Sequence, residues 1–357
     1  MRSSGTSVRN AVSASTEFPW KWRLTDLEGR PKNGFKVFSC FSCGGGSSMG
    51  YKLAGYDVVG CCEIDPQMMR LYEANNHPRH RFLMDIRDFV KLPDNEIPDE
   101  LRSLDILDGS PPCSVFSMAG SREDGWNVEK VFREGQARQR LDDLFLHFIA
   151  VARRLRPKVV VAENVKGLVT GNAKGWVNLI VKAFGEAGYV VQVFLLNAAR
   201  MGVPQKRERV FFIAHRADLD WPKLRMKFDS RPIPFGDVRE PRGKEMGDNL
   251  ASRLLKYRLP GDRCLQDINR RVRKSASGFT SPINHDGEPV QTITAGGYCF
   301  RMCDGLLMSD GDIVSCQTFP LDYDFKGQSV QYVCGMSVPP VMMARISEQV
   351  RLQWLEG

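Results

Sequence analysis

The sequence has 357 residues, of which 42% are hydrophobic and 26% are charged, and its formal net charge is +8. These proportions are typical of a globular protein and exclude a largely disordered chain. No apolar run reaches the ~20 residues that a membrane helix needs, and the first residues have no apolar stretch of secretory-signal type. The cysteines are irregularly spaced, and Cys40 and Cys43 lack a second pair at zinc spacing. We therefore expect free thiols, no metal site, no membrane partner and a cytoplasmic protein.

The positive charge is unevenly distributed along the chain. Residues 216–288 carry 16 basic and 11 acidic side chains, and residues 1–34 carry 6 and 3, so the remainder is neutral. An excess of positive charge favours a polyanionic partner, although solvated surface groups alone can produce the same composition.

We expect ordered structure to begin near Phe35, and from there short apolar strands alternate with helical patterns. The candidate strands are 35–41, 57–64, 104–108, 158–163, 190–197 and 209–214. The candidate helices are 47–54, 66–75, 137–155 and 174–187. This alternation predicts an α/β fold with a doubly wound, mostly parallel sheet. Because only residues 198–208 link the last two strands, we expect them to form an antiparallel hairpin at the sheet edge.

Composition divides the chain into three parts. We expect residues 1–34 to form a partly disordered N-terminal extension and residues 35–215 with 289–357 to form the main domain. The Pro-, Gly- and Arg-rich residues 216–288 are expected to form an inserted small domain or a long set of loops. In the last part of the chain, strand-like pieces are expected at 291–295 and 314–319, followed by a final helix at about 338–355.

The first strand leads into a glycine-rich turn that contains Gly44, Gly45 and Gly46. Such a turn lets the backbone approach a ligand closely and directs N–H groups towards its anionic end. About twenty residues later the second strand ends at Glu63, whose carboxylate can accept the hydroxyls of a ribose. Without a GxGxxG pattern or a Walker lysine, S-adenosylmethionine is favoured over NAD or ATP; a plain tight turn with a surface acid remains the alternative.

Polar groups follow the later strands too. Cys113 comes directly after two prolines at the end of the fourth strand and is a candidate nucleophile, the alternative being a buried structural cysteine. A polar loop at 118–136 is a candidate lid. Glu163 ends the fifth strand, where an acid is costly to bury without a partner or a task. The run 205–209 places two arginines on one face, which suits an anion or a base edge unless the strand is simply solvated.

Taken in order, these motifs resemble the DNA (cytosine-5) methyltransferase family over nearly all of residues 35–357. The closing segments 289–295 (PVQTITA), 317–320 (QTFP) and 335–338 (GMSV) agree with this resemblance. The resemblance implies a Rossmann-like, S-adenosylmethionine-dependent enzyme that methylates a flipped-out cytosine in double-stranded DNA. It also implies that residues 216–288 are the target recognition domain. The protein is then expected to be a monomer of prokaryotic or phage origin, nucleoid-associated when bound to DNA. A cognate restriction endonuclease can accompany it.

The same resemblance assigns catalytic roles. The Cys113 thiolate adds to C6 of cytosine, and Glu163 holds the exocyclic amine and donates a proton toward N3. Arg207 steadies the O2 side of the ring, with Arg209 supporting the group.

The resemblance also assigns the cofactor site. Its expected residues are Phe41, Gly44, Gly45, Gly46, Glu63, Ile64, Asp85, Ile86 and Ser337. Phe41 belongs to the adenine surroundings, Glu63 meets the ribose and Asp85 meets the adenine amine. The glycine turn and Ser337 meet the methionine end.

Four positions depart from the common family pattern. Ser39 stands where the family usually has an acid, Cys43 where it has the first glycine, Ser114 where a glutamine is frequent, and Met336 where an asparagine is frequent. Two alternatives stay open: a tRNA cytosine-5 methyltransferase, whose typical Cys-Phe-Thr signature is missing from the recognition segment, and a catalytically inactive DNA-binding homologue.

Overall fold

The computed structural model describes residues 18–112, 143–170, 174–275 and 280–357. Four features expected from the sequence lie outside these ranges: Cys113, Ser114, the candidate lid at 118–136 and the first part of the helix expected at 137–155.

Seven strands form the central sheet, in the order β3-β2-β1-β4-β5-β8-β6. They are β1 (Lys36–Cys40), β2 (Asp57–Glu63), β3 (His80–Leu83), β4 (Ile106–Gly109), β5 (Val159–Val165), β6 (Tyr189–Asn197) and β8 (Glu208–Arg216). The five strands from β1 to β5 are parallel to one another. Strand β8 runs antiparallel to both β5 and β6. The doubly wound, mostly parallel sheet and its antiparallel edge hairpin are therefore confirmed.

Helices cover both faces of the sheet. Those of the main sheet are α1 (Gly46–Leu53), α2 (Pro66–Asn76), α3 (Ile86–Lys91), α4 (Leu144–Leu155) and α5 (Lys174–Glu186). Those of the later chain are α6 (Leu250–Leu255), α7 (Leu265–Arg273), α8 (Asp310–Cys316), α9 (Val330–Met336) and α10 (Pro340–Val350). In the parts of the chain that the structure describes, no helix is both long enough and apolar enough to cross a membrane.

The core consists of two apolar layers, because alternate strand residues point to opposite faces. One layer joins Val37, Ile106 and Val159 to side chains of α1 and α10, which pack against each other. The other joins Phe38 and Leu107 to side chains of α3, α4 and α5. The carboxyl ends of β1, β2, β4 and β5 consequently meet at one edge of the sheet, where doubly wound folds place their sites.

Ordered structure begins earlier than the sequence indicated. Trp22 is only 2% exposed, and Phe18 is also buried in the main core. The indole Nε1 of Trp22 donates to the carbonyl oxygen of Thr318 at 2.9 Å, and Leu321 N donates back to the Trp22 carbonyl at 2.9 Å. The expectation that order starts near Phe35 is thus wrong, because the side chains of Phe18 and Trp22 anchor residues 18–34 to the main core.

The segment 216–288 does not pack as one unit. Its beginning lies on the main core, where Leu224, Phe235 and Val238 are buried, and Leu224 N donates to Gln192 Oε1 at 2.7 Å. A separate small apolar cluster joins α6 and α7 to two short strands, β9 (Ile283–Asn284) and β11 (Phe300–Arg301). This small cluster therefore extends past residue 288.

The closing segments are shorter or different from those expected. Residues 314–316 belong to α8 rather than to a strand, because Ser309 caps that helix through a reciprocal pair of hydrogen bonds with Asp312. Of residues 291–295, only Gln291 lies in a strand, β10 (Val290–Gln291), which pairs in parallel with the two-residue strand β7 (Gln205–Lys206). The final helix ends as a π-helical turn at Arg351–Leu355.

Candidate active site

The glycine-rich turn after β1 is held in a conformation that few side chains tolerate. Gly45 has φ +75°, and a Cβ there would lie 2.3 Å from Asn76 Nδ2. Cys43, where the family has a glycine, has φ +43°, a region that L-residues rarely occupy. The backbone therefore keeps the tight turn in spite of the Cys43 departure.

The carboxylate of Glu63 fixes this turn from the end of β2. Its Oε2 accepts the backbone N–H of Cys43 at 2.8 Å, and its Oε1 accepts those of Ile64 and Asp65 at 2.9 and 3.0 Å. Burial raises the pKa of Glu63, which the three N–H donors oppose. Because each carboxylate oxygen has two lone pairs, Oε2 retains one acceptor site for a hydroxyl.

A narrow cleft opens beside Glu63 at the carboxyl edge of the sheet. It is lined by Phe41, Cys62, Glu63, Ile64, Met84, Asp85, Ile86 and Leu144. The structure thus brings together five of the residues expected for the cofactor, and it adds three that the sequence reasoning missed. Met84 directly precedes the expected Asp85, whereas nothing in the local sequence distinguishes Leu144, which enters from α4.

Asp85 has a structural task in this cleft. Its carboxylate caps α3 by accepting the backbone N–H of Arg87 at 2.8 Å, and it forms an ion pair with the Arg87 guanidinium at 3.0 Å. These contacts hold the carboxylate in place at the cleft wall, where a ligand amine can reach it.

The last motif of the chain closes over the glycine turn. A Cβ on Gly46 would lie 2.2 Å from the carbonyl oxygen of Val338, and a Cβ on Gly44 would lie 3.2 Å from Ser337 Oγ. The hydroxyl of Tyr323 donates to the Gly44 carbonyl at 2.7 Å. Only glycine allows this close approach, so the turn and Ser337 share one side of the site. Met336 is 41% exposed and takes no part in these contacts.

Glu163 lies at the end of β5 in an ion pair. Its Oε1 is 3.0 Å from Arg209 Nε, and both side chains are almost completely buried. The two residues lie on neighbouring antiparallel strands, β5 and β8, which sets their separation. Burial lowers the pKa of Arg209, while Glu163 opposes that shift. The geometry leaves a buried carboxylate fixed by one guanidinium at the edge of the sheet.

Asn164 is a functional candidate that the sequence reasoning did not single out. Its Nδ2 donates to the carbonyl oxygen of Pro111 at 3.0 Å, and its own Oδ1 accepts the N–H of Val165 at 2.9 Å. Pro111 precedes Cys113 by two residues, and Cys113 itself lies outside the described residues. The signal was present in the sequence, because Asn164 directly follows Glu163.

Arg207 is buried, and no carboxylate of the described residues lies within ion-pair distance of it. Its Nη1 donates to the Ile293 carbonyl and its Nη2 to the Gly335 carbonyl, each at 2.9 Å, whereas its Nε has no partner among the described residues. Burial and then the neighbouring Arg209 lower the pKa of Arg207. A buried guanidinium whose partners in the described part of the chain are carbonyl oxygens favours an incoming group with negative charge.

Gln205 connects this part of the site to Ser337 beside the glycine turn. Its Nε2 donates to Gln317 Oε1 at 2.6 Å, and its Oε1 accepts the N–H of Ile293 at 3.0 Å. Gln317 Nε2 in turn donates to the carbonyl oxygen of Ser337 at 2.7 Å. A continuous chain of buried amides therefore links the arginine strand to the motif that closes over the glycine turn.

These features indicate an α/β enzyme of methyltransferase type, with a cleft at the carboxyl edge of the sheet and a group of buried charged side chains. The family model for C-5 cytosine-specific DNA methylase matches residues 35–287. The chain belongs to this family and is a DNA cytosine-5 methyltransferase.

Curated relatives agree with this family. The chain is 36% identical over 275 residues to the type II methyltransferase M.FnuDI of Fusobacterium nucleatum, covering 75% of this chain and 72% of that protein. It is 27% identical to the type II methyltransferase M1.HphI of Haemophilus parahaemolyticus, covering 87% of this chain and 85% of that protein.

Two solved structures share the fold. A DNA modification methyltransferase encoded within a prophage of E. coli superposes with a TM-score of 0.65 at 18% identity, covering 91% of this chain and 100% of that chain. A variant of DNMT2 from Spodoptera frugiperda gives a TM-score of 0.62 at 18% identity, covering 89% of this chain and 99% of that chain. At this identity the likeness concerns the fold.

Proposed function

We propose that this protein transfers a methyl group from S-adenosylmethionine to C5 of a flipped-out cytosine in a specific double-stranded DNA sequence, with Cys113 as the nucleophile. The observation that carries the proposal is the buried group of Glu163, Arg209 and Arg207. This group lies beside the segment that leads into Cys113, and Asn164 binds that segment at the Pro111 carbonyl.

The residues that line the narrow cleft at Glu63 are chemically suited to the adenosine part of the cofactor. The apolar walls of the cleft suit an adenine ring, the remaining lone pair of Glu63 Oε2 suits a ribose hydroxyl, and Asp85 suits the adenine amine. The methionine end would lie against Gly44, Gly45 and Gly46 and Ser337. When bound, the cofactor supplies an electrophilic methyl group.

The charged group explains how a cytosine is activated. C5 is a poor nucleophile until a thiolate adds to C6, which makes the ring enamine-like, and Cys113 supplies that thiolate. Glu163, held by Arg209, binds the exocyclic amine and donates a proton toward N3, so that negative charge does not accumulate on the ring. Arg207 lies buried nearby to stabilise the O2 side. Because C6 is inaccessible in a stacked duplex, the base must leave the helix.

A broad recess lies between β7 and the small cluster. It is lined by Lys206, Arg263, Cys264, Thr280, Ser281, Pro282, Glu288, Gln291, Thr292, Thr294, Gly296, Gly297 and Tyr298. Tyr298 is 47% exposed, and its ring lies 5.6 Å from that of Phe300 in the small cluster. The two basic side chains of the recess, Lys206 and Arg263, both form ion pairs with Glu288. Its hydroxyl and aromatic groups are therefore the ones that suit contacts with nucleic-acid bases. It supports the assignment of residues 216–288, together with the adjoining strand β11, as the target recognition domain.

The two relatives above are type II methyltransferases by name. We infer that this chain likewise protects a restriction site or acts as an orphan methylase, as a monomer, with or without a cognate restriction endonuclease.

Bisulfite sequencing of DNA from bacterial cells that express the chain tests the proposal. We expect protected cytosines within one recurrent sequence, and none in cells expressing Cys113→Ala. Methylation by the Cys113→Ala protein would contradict the mechanism. Absence of methylation by the wild-type protein, with intact DNA binding, would favour an inactive DNA-binding homologue.

A further inference from the structure

A buried acid lies under the glycine-rich turn and takes no part in the roles described above. Asp108, on β4, is 2% exposed. Three hydroxyl groups donate to its carboxylate: Ser39 Oγ at 3.0 Å, Tyr51 OH at 3.4 Å, and the side chain of Ser47. A carboxylate with three neutral donors is well solvated by the protein, but its charge is not balanced.

No lysine or arginine of the described residues is within 4 Å of Asp108. Burial, with a smaller contribution from the nearby Glu163, raises the pKa of Asp108 to about 7, although the hydrogen bonds from the hydroxyl groups oppose the shift. The other titratable groups that face it are Cys40 on β1, Tyr51 on α1 and Tyr72 on α2, all neutral when protonated. A cation that arrives near Asp108 would therefore favour its ionised form.

Asp108 is the direct partner of Ser39 in the register of β4 with β1. Ser39 is the position at which this chain lacks the acid that the family usually has. Neighbouring strands are only ~4.8 Å apart, so an acid on either strand reaches the same space under the turn. The missing acid of β1 is therefore matched by an acid on the adjacent strand.

The hydroxyl of Ser47 connects Asp108 to the cofactor side. Ser47 is the second residue of α1 and follows Gly44, Gly45 and Gly46 directly. The methionine end of the proposed cofactor lies at this turn. That end carries an ammonium group, and in a water-poor interior a carboxylate acts on such a charge over several ångströms.

We propose that Asp108 is a positioning residue for the cofactor, taking over from β4 the place of the acid missing at Ser39 and balancing the ammonium group at the methionine end through Ser47. This inference rests on the proposed function, because it assumes S-adenosylmethionine as the ligand.

The raised pKa of Asp108 makes ligand binding depend on pH. Protonated Asp108 cannot balance an ammonium group, so ligands that carry this group bind more tightly as the pH rises through about 7. Glu63 also has a raised pKa, but it faces the ribose. A ligand with the ribose and without the ammonium group therefore separates the two contributions.

The test is isothermal titration calorimetry with two ligands, S-adenosylhomocysteine and 5′-methylthioadenosine, on the full chain. The second ligand has the adenine and ribose but lacks the amino-acid end. At pH 8 we expect Asp108→Asn to weaken S-adenosylhomocysteine binding by about tenfold or more and to leave methylthioadenosine within about twofold. The loss should shrink toward pH 6, where the wild-type acid is protonated.

The double variant Ser39→Asp/Asp108→Ser tests whether binding can be restored. It moves the acid from β4 to the paired position on β1 and leaves one serine and one aspartate in the pair. It should recover most of the affinity for S-adenosylhomocysteine, whereas Ser39→Ala, which removes only one donor, should lose little. An equal loss for both ligands, or an unchanged affinity in Asp108→Asn, would overturn the inference. If the wild-type protein binds neither ligand, the proposed cofactor itself is wrong.

Discussion

The side chain of Asn164 is hydrogen-bonded to the backbone of Pro111, with Nδ2 donating to the carbonyl oxygen over 3.0 Å. This bond joins the end of β5 to the segment after β4, two residues before Cys113. It therefore connects the residue after the proposed acid, Glu163, to the chain that carries the proposed nucleophile. Since both strands lie in the rigid centre of the sheet, the bond fixes one end of the nucleophile segment relative to Glu163.

Replacing Asn164 by Ala should slow the chemical step. The Pro111 carbonyl loses its donor, and displacement of a reacting group by ~1 Å can cost up to about 100-fold in rate. Single-turnover methyl transfer measures this effect. The affinity for S-adenosylhomocysteine should not change, because Asn164 does not line the cofactor cleft. A rate within about twofold of the wild type would show that the bond has no role in positioning.

Replacing Gly46 by Ala should disrupt the contact between the glycine turn and the closing motif. The new Cβ would lie 2.2 Å from the Val338 carbonyl oxygen and 2.9 Å from Ser337 Cβ, so the backbone must move. We expect the free energy of unfolding to fall by about 1–3 kcal/mol and cofactor affinity to fall with it.

Gly185→Ala is the matched control for this experiment. Nothing lies within 4 Å of a Cβ at Gly185, which is in α5. This variant should gain roughly 0.5–1 kcal/mol in stability through its higher helix propensity, with unchanged cofactor affinity. Equal behaviour of the two alanine variants in chemical denaturation would contradict the close approach at Gly46.

Trp22→Ala should destabilise the protein by about 3–5 kcal/mol, because it empties a large site in the main core. Trp22→Phe keeps most of the packing and loses the hydrogen bond to the Thr318 carbonyl, so it should cost only about 1 kcal/mol. Urea denaturation compares the two variants. A loss below 1 kcal/mol for Trp22→Ala would mean that residues 18–34 contribute little to the fold.

Features of the fold that depend on neighbouring residues could be predicted from the sequence, whereas features that depend on contacts between distant residues could not. The strands and the glycine turn could be predicted from the local sequence, because the spacing of apolar residues and glycines determines these elements. Trp22 was not predicted to be ordered, because its partner Thr318 is almost 300 residues away and no local pattern indicates it. Leu144 reaches the cofactor cleft from a distant helix for the same reason.

The short elements were predicted least well. Residues 314–316 look like a strand from their apolar character, and the helix is decided by the capping pair Ser309 and Asp312. The small cluster includes Phe300, beyond the predicted boundary at 288, because β11 pairs with β9 across the sequence. A deletion of residues 216–288 would also remove Leu224 and Phe235 from the main core. An experiment that isolates recognition must therefore leave these residues in place.

Glu163→Gln should lower the single-turnover rate by about 100- to 10,000-fold, the usual contribution of a general acid. The amide can keep an oxygen toward Arg209 Nε, now 3.0 Å from the carboxylate, but it is a very poor proton donor to N3. DNA affinity should change little. The control is Glu208→Gln, which removes an exposed acid paired with Lys166 and should keep the wild-type rate. An unchanged rate in Glu163→Gln would exclude it as the acid.

Cys113 is the proposed nucleophile, and its covalent bond to DNA can be trapped. If its thiolate adds to C6, the protein–DNA bond breaks only after the C5 proton leaves. Fluorine at C5 blocks this exit, because it cannot depart as a cation. A duplex that contains the recognition sequence with 5-fluorocytosine, incubated with the protein and S-adenosylmethionine, should therefore give a complex that survives denaturing electrophoresis.

The Cys113→Ala protein should bind the same duplex and give no such complex, since base flipping depends on the pocket and not on the thiol. Peptide mapping should place the adduct on Cys113. The other candidate thiols differ in their surroundings: burial raises the pKa of Cys316 well above its usual range, which keeps it protonated, whereas Cys43 lies in the glycine turn and is only half-buried. An adduct on Cys43 would overturn the assignment of the nucleophile. No adduct with a duplex already shown to be methylated by the wild-type protein would exclude the covalent mechanism and leave the buried group of Glu163, Arg207 and Arg209 to be explained by base binding alone.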